Sequence, residues 1–452
     1  MNIHFFGAAE EVTGTCYLLE TGSHKILIDC GIFQGGTGDG PRNHLPFPFK
    51  PSEIDAVFVT HPHMDHVGRV PQLVKRGYRG PIFATAPTCD LAQLLWKDML
   101  AVMQDAFKRE HVEPLYDEHD VARAGERLEA VEYGERTEIC AGAFKATFHD
   151  AGHVLGSAFI EIEAEGKTIV FSGDLGNDDV PILRPTARLP KCDALVIEST
   201  YGDRLHESLD TRVSVLRELV LRTVAEKGVL MIPTFAIERT QELMLTLHRL
   251  AEKKEIPRVP LFLDSPLAIE ATHVYEEYTR YFNGTAQDEF LSGHQLFSLP
   301  GFVATKTVDM SKRINEVMPP KIILAGAGMM TGGRILHHLV RYLPDPHSTL
   351  LIVGYQAIGT IGRRLYEGAK MVRIHGQDIP VRATITSIGA WSAHADQAKL
   401  LRWVREGEHA PKIVFVTHGE HNASDTLARK FRRDMGIDAY VPKPGQMFDL
   451  HA

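Results

Sequence analysis

Cysteine is scarce: five residues in 452, far apart, odd in number and without a CxxC pair. That excludes a disulfide framework and fits a reducing compartment, so a cytoplasmic protein is expected. Long apolar runs are lacking as well. None approaches the roughly 18 residues of a membrane span, so no membrane partner is expected. The opening MNIHFFGAAEEVTG has neither the basic leader nor the apolar stretch of a secretion signal. Internal repeats, low-complexity tracts and long linkers are missing. Positive charge is in deficit, with 49 Lys+Arg against 58 Asp+Glu and a net charge of −9. A general nucleic-acid coat is therefore excluded, but not a local cationic groove or a metal centre whose charge the count omits.

What the chain does have is core material and histidine. Hydrophobic residues make up 44% and charged residues 24%, the profile of a globular protein of two to three domains. Short apolar runs alternate with helical stretches, which indicates an α/β architecture. Several runs end on a residue able to do chemistry. ILID ends at Asp29, AVFVTH at His61, TIVFSGD at Asp174, ALVIE at Glu198 and IVFVTH at His418. Open α/β folds build sites where strand ends meet loops, so these distant residues can share one site. Residues 208–364 have their own strand–helix alternation. In the first helix there, Leu243, Met244, Leu247, Leu250 and Ala251 form a stripe with the spacing of a buried face. This segment reads as a doubly wound insert between residues 1–207 and 365–452, which then form one discontinuous domain.

His61, His63, Asp65 and His66 form an HxHxDH motif directly after an apolar run. Imidazole and carboxylate are ligands for zinc and other first-row divalent metals. Alternate residues of an extended turn can face one ion, and the following Asp and His a second. Four ligands are too few for two four-coordinate ions, so distant partners are required. His153 in AGHVLGSA, Asp174 in FSGDLG and His418 in THGEH are the candidates. Gly152 and Gly156 flank His153 and let the backbone approach a crowded centre. An aspartate can bridge two ions through its two oxygens. Asp29 reads as a carboxylate that orients a ligating histidine rather than as a ligand.

The HxHxDH motif with Asp29, His153 and Asp174 resembles the metallo-β-lactamase superfamily. IESTYG with Glu198, WSAHAD with His394 and VTHGE with His418 resemble the signature motifs of its β-CASP branch. FAIERTQE, DSPLA, GMMTGGR and GYQAIGTIGRR are similar to segments of that branch's inserted domain. The likeness covers nearly the whole chain and is greatest to ribonucleases of the 73-kilodalton cleavage and polyadenylation specificity factor type. It implies an αββα sandwich with an inserted parallel-sheet domain. It implies two zinc ions, with manganese the other candidate: His61, His63 and His153 on one, Asp65, His66 and His418 on the other, Asp174 between them. A hydroxide activated by two metals would attack phosphorus, while His394, oriented by Glu198, would contact the phosphate or protonate the leaving oxygen. A histidine at the position of His418 is associated with RNA-cleaving members of the branch. The implied function is a zinc-dependent ribonuclease acting on single-stranded RNA, as endonuclease, 5′-exonuclease or both, in a homodimer.

In the insert, GAGMMTGG imitates a dinucleotide fingerprint, but the third glycine would fall at Thr331 and no ribose-binding acid follows Gly354-Tyr355-Gln356. The loop around Gly328 can instead hold an RNA phosphate at a helix start. Arg239, Arg334 and Arg363 are expected to line that groove, since arginine forks onto phosphate. Ser392, two residues before His394, is a further phosphate candidate. Two rival functions are a hydrolase of small thioesters or lactams and a non-catalytic RNA-processing subunit. An insert of this length suits a polymer better than a small molecule, and none of the seven proposed ligands is replaced. The segment EHVEPLYDEHD, His337 and His338 are assigned no site. No KH-like segment precedes the first strand, and the chain after His418 is short for the additional C-terminal domain of ribonuclease J. RNA targeting is therefore expected from the groove, dimerisation or partners.

Overall fold

A computed structural model describes residues 1–34, 39–178, 180–206, 209–354, 356–357, 359–388 and 393–451. Two seven-stranded sheets stack face to face. The first runs Met447–Asp449, Asn2–Gly7, Cys16–Glu20, Lys25–Ile28, Ala56–Phe58, Ile82–Thr85, Leu128–Val131. The second runs Asp438–Tyr440, Ile413–Thr417, Ala194–Glu198, Lys167–Phe171, Ala158–Ala164, Phe144–Asp150, Arg136–Ile139.

Side chains alternate across each strand, and the sequence uses both faces. Ile3, Phe5, Tyr17, Phe58 and Phe83 meet Phe148, Ile160, Phe171, Val196 and Phe415 between the sheets. The alternate residues Leu18, Leu27, Val57 and Ile82 pack outward against Val70, Leu73, Trp96 and Val121 of covering helices. On the other side, Leu195, Ile197, Val414 and Val416 pack against Leu400, Trp403, Leu427 and Phe431. Strands buried on both faces explain the near-continuous apolar runs. The result is the expected αββα sandwich.

Each sheet has a parallel half. Lys25–Ile28, Ala56–Phe58 and Ile82–Thr85 run parallel, as do Lys167–Phe171, Ala194–Glu198 and Ile413–Thr417. The strand ends bearing Asp29, His61, Asp174, Glu198 and His418 all belong to these halves. Parallel strands deliver their carboxyl ends to one edge, where the site forms.

The insert builds a third, parallel sheet: Phe302–Ala304, Leu261–Asp264, Lys321–Ala325, Val229–Pro233, Thr349–Ile352, Thr384–Ser387. Helices Leu209–Glu226, Arg239–Glu252 and Pro266–Glu277 cover one face, and Ile335–Tyr342 and Ile361–Tyr366 the other. Of the stripe on Arg239–Glu252, Leu243, Met244, Leu247 and Leu250 are buried and Ala251 partly so. The sheet runs past the boundary expected at residue 364, because Thr384–Ser387 pairs with Thr349–Ile352. Leu91, Leu95, Val154 and Leu155 of the sandwich share one apolar cluster with the insert, so the two parts are continuous in packing. Among the described residues no helix is long and apolar enough to cross a membrane.

Candidate metal centre

The HxHxDH turn is clamped by the segment after Lys25–Ile28. Cys30 N–H donates to His66 O at 2.7 Å, Ile32 N–H to Met64 O at 3.0 Å, and Thr15 N–H to Asp65 O at 2.9 Å. Gly31 sits where a Cβ would lie 1.6 Å from the Asp65 carbonyl oxygen. No L side chain fits there without moving the ligand turn. Gly31→Ala is expected to lower the melting temperature and the metal content together, at a cost of about 1–3 kcal/mol or more. Thermal melts with metal analysis check this; an unchanged metal content at full stability would show the close approach to be unimportant.

Asp29, at φ +61°, organises the base of the site. Its carboxylate accepts from Thr60 N–H and Thr60 Oγ1, both at 2.8 Å, and from His66 Nδ1 at 2.7 Å. Thr60 Oγ1 donates its proton to Asp29, so it accepts from His61 Nδ1 at 3.0 Å. Thr200 repeats the device: its hydroxyl donates to His418 O at 3.2 Å and accepts from His418 Nδ1 at 3.1 Å. Three tautomers are thereby set, and each leaves Nε2 as a lone pair.

Those lone pairs converge in two groups around Asp174. In the first, His61 Nε2 lies 3.1 Å from His63 Nδ1, and His153 Nε2 lies 3.2 Å from the same atom. Asp174 Oδ2 is 3.3 Å from His61 and 3.5 Å from His153. In the second, His66 Nε2 and His418 Nε2 are 3.2 Å apart, and Asp65 Oδ2 is 3.4 Å from His418. Asp174 Oδ1 is 3.4 Å from His66 Nε2 and 3.5 Å from His418 Nδ1. That buried oxygen has no hydrogen-bond partner among the described residues.

With Nδ1 of both rings turned to an acceptor, the Nε2 atoms of His66 and His418, 3.2 Å apart, repel unless a proton or a metal cation stands between them. A buried carboxylate oxygen without a donor is costly for the same reason. The donor set therefore fits first-row divalent metal ions. Protonation tells the same story. Burial pushes His61 down to about 3, His63 to about 4 and His153 well below its ordinary value, so these rings stay neutral, as a metal ligand must be. Burial also opposes charge on His66, but the Asp174 and Asp29 carboxylates outweigh it and raise that ring, drawing a proton to a place that suits a cation. Burial would raise Asp174 and Asp65. Facing histidines, His418 foremost, hold both below the ordinary carboxylate range.

A third group joins Asp174, Glu198 and His394. Glu198 accepts from Leu175 N–H at 2.7 Å and from His394 Nδ1 at 3.1 Å. Ala395 N–H donates to Leu175 O at 2.7 Å and fixes the backbone beside His394. Burial would lower the His394 ring, but Glu198 and Asp174 raise it to about 9. Its Nδ1 stands 3.7 Å from Asp174 Oδ2, and the side chain is partly exposed.

Three domain families match in order along the chain: the metallo-beta-lactamase superfamily over residues 9–216, the Beta-Casp domain over 240–365 and a Zn-dependent metallo-hydrolase RNA specificity domain over 378–442. Ribonuclease TTHA0252 of Thermus thermophilus is 42% identical over 93% of each chain. The chain belongs to the β-CASP branch of the metallo-β-lactamase superfamily. An RNase J-like protein of Methanocaldococcus jannaschii is 32% identical over 99% of both chains. Transcription termination factor FttA of Methanosarcina mazei is 33% identical, over 96% of this chain and 69% of that one. A solved structure of a protein of unknown function from Enterococcus faecalis matches 99% of both chains with a TM-score of 0.57 at 12% identity, a likeness of fold.

In this β-CASP protein the arginines expected to line a phosphate groove in the insert all have acidic neighbours. Arg239 is buried and its guanidinium pairs with Glu242. Arg334 donates to Asp264 at 2.8 Å and to the carbonyls of Thr305 and Lys306. His338 binds the same Asp264 at 2.7 Å. Arg363 Nε donates to Glu367 at 2.6 Å. Each guanidinium thus has at least one carboxylate partner in its own domain. Gly328 is buried against the Phe235 ring, which a Cβ would meet at 2.8 Å. Ser392 lies outside the described residues. Thr60 and Thr200, which set the tautomers of His61 and His418, lie outside the residues expected from the sequence. The sequence held a signal for the first, since the pentapeptide VFVTH occurs at both 57–61 and 414–418.

Proposed function

We propose that this metal-dependent ribonuclease hydrolyses phosphodiester bonds of single-stranded RNA at a centre for two zinc ions, with manganese the other candidate. His61, His63 and His153 would hold one ion and Asp65, His66 and His418 the other. The observation that carries this reading is Asp174, whose two oxygens face the two histidine groups separately. When bound, the ions supply a water of lowered pKa and neutralise charge on the phosphoryl oxygens. Asp29, Thr60 and Thr200 engage Nδ1 of His66, His61 and His418 and so aim the Nε2 atoms inward. Glu198 holds His394 by Nδ1, so its protonated ring can bind the scissile phosphate or give a proton to the departing oxygen. RNA as the substrate is supported by the matched RNA specificity domain and by relatives named as ribonuclease and RNase J-like protein. Cytoplasmic residence is supported by five free cysteines, four of them buried. A homodimer is part of the proposal.

The test is cleavage of end-labelled single-stranded RNA before and after metal stripping with a chelator. Stripping is expected to reduce cleavage to background, and zinc or manganese to restore it. An equal rate in the stripped sample overturns the mechanism. Thioester or lactam hydrolysis without RNA cleavage would favour the small-molecule reading. RNA binding without hydrolysis by the metal-loaded protein would favour a non-catalytic RNA-processing subunit. Mononucleotide ladders or discrete internal products distinguish 5′-exonuclease from endonuclease action.

A further inference from the structure

Among the described residues, the outermost strand of the insert sheet, Thr384–Ser387, is paired on one side only, with Thr349–Ile352. Thr384 N–H donates to Ser348 O at 3.0 Å and Ile388 N–H to Ile352 O at 2.9 Å. Alternate residues of a strand direct their N–H groups to the same side. The N–H groups of Ile385 and Ser387 therefore face the open edge. Along that edge runs a groove of about 320 Å³, lined by Tyr366, Lys370, Arg382, Ile385 and Ser387 among others.

Its lining carries positive charge. The chain is acidic overall, and the arginines Arg239, Arg334 and Arg363 each face a carboxylate. Among the described residues, no carboxylate or hydrogen-bond acceptor meets the side chain of Lys370 or Arg382, and both are exposed. Tyr366, which lines the same groove, is 56% exposed. Unpaired cations, an accessible ring and outward backbone donors are the elements that hold single strands without reading sequence: charge tracks the backbone and the ring stacks on a base.

We propose that this groove is a second subsite for single-stranded RNA, with phosphates on Lys370 and Arg382 and a base on Tyr366. The inference rests on the ribonuclease reading and adds where the body of the strand lies. None of the described residues lining it belongs to the candidate ligand groups, so it serves RNA that extends beyond the scissile bond.

The test compares Lys370→Glu/Arg382→Glu with wild type on a short RNA and on one several-fold longer. Fluorescence anisotropy measures binding and initial rates measure cleavage, both across a salt series. The double variant is expected to raise KM for the long RNA at least tenfold, with kcat unchanged and the short RNA unaffected. Its salt slope should fall by about 0.7 for each cation removed. Tyr366→Ala should weaken long-RNA binding about tenfold while Tyr366→Phe preserves it, and Lys370→Arg/Arg382→Lys should restore wild-type behaviour. Unchanged KM and salt slope overturn the proposal, as does an equal loss on short and long RNA. A changed oligomeric mass in light scattering with unaltered RNA affinity also overturns it, in favour of strand pairing between copies. If wild type binds long RNA through the groove but cuts none with any metal, the subsite stands and the ribonuclease reading fails.

Discussion

His394→Ala is expected to lower kcat on RNA about 10²–10⁴-fold while the metal content per chain stays unchanged. The ring is held by Glu198 at 3.1 Å, and Glu198 is itself fixed by the Leu175 N–H. Asp174 lies farther away, at 3.7 Å. Removing the ring therefore leaves both histidine groups and their shared aspartate in place. Wild-type kcat should fall on the alkaline side as His394 loses its proton. Glu198 and Asp174 raise that ring to about 9, and bound cations push it back down, so the alkaline limb lies below 9. A residue that gives a proton must carry it first, so rising pH removes activity, and His394→Ala should flatten this limb. Glu198→Gln should shift the limb to lower pH, because a neutral amide no longer favours the charged ring. Metal analysis provides the opposing outcome: one ion lost in His394→Ala would make this residue a ligand, as its grouping with Asp174 and Glu198 also allows.

The centre was more legible in the sequence than its surroundings. Apolar runs ending on Asp29, His61, Asp174, Glu198 and His418 announced buried parallel strands, and parallel strands bring such ends to one edge. Burial on both faces leaves no polar alternation to blur the pattern. Thr60 and Thr200 were harder to see. A hydroxyl matters here through the direction of its proton, which depends on an acceptor elsewhere in the chain. The insert hid more. FAIERTQE reads as a polar helix start, yet Arg239, Thr240, Gln241 and Glu242 are all buried, because the helix has neighbours on several sides. An arginine paired with an acid three residues on looks, in one dimension, like a free surface arginine. Thr384–Ser387 was likewise assigned beyond the insert. A short strand of Thr and Ile carries no mark of which sheet takes it, and its partner Thr349–Ile352 lies well upstream.

The balance between the two ligand groups gives the second large effect, in Asp174→Ala. Both metal ions are expected to be lost at ordinary free-metal concentrations, and RNA cleavage should fall to background. The reason is geometric. Asp174 Oδ2 is 3.3 Å from His61, and Oδ1 is 3.4 Å from His66. Without this carboxylate two divalent cations would face each other across neutral imidazoles, with Asp65 on one side only. His153→Ala makes the contrast. It removes one nitrogen from the first group and leaves Asp65, His66, His418 and Asp174 intact, so one ion should remain. Thermal melts give a readout independent of activity. Ligands that bind only the folded state raise its stability by mass action, so zinc should raise the melting temperature of wild type most, of His153→Ala less, and of Asp174→Ala hardly at all. If Asp174→Ala instead retains two ions per chain and its zinc-dependent stabilisation, the aspartate does not serve both groups, and the centre must draw its negative charge from elsewhere.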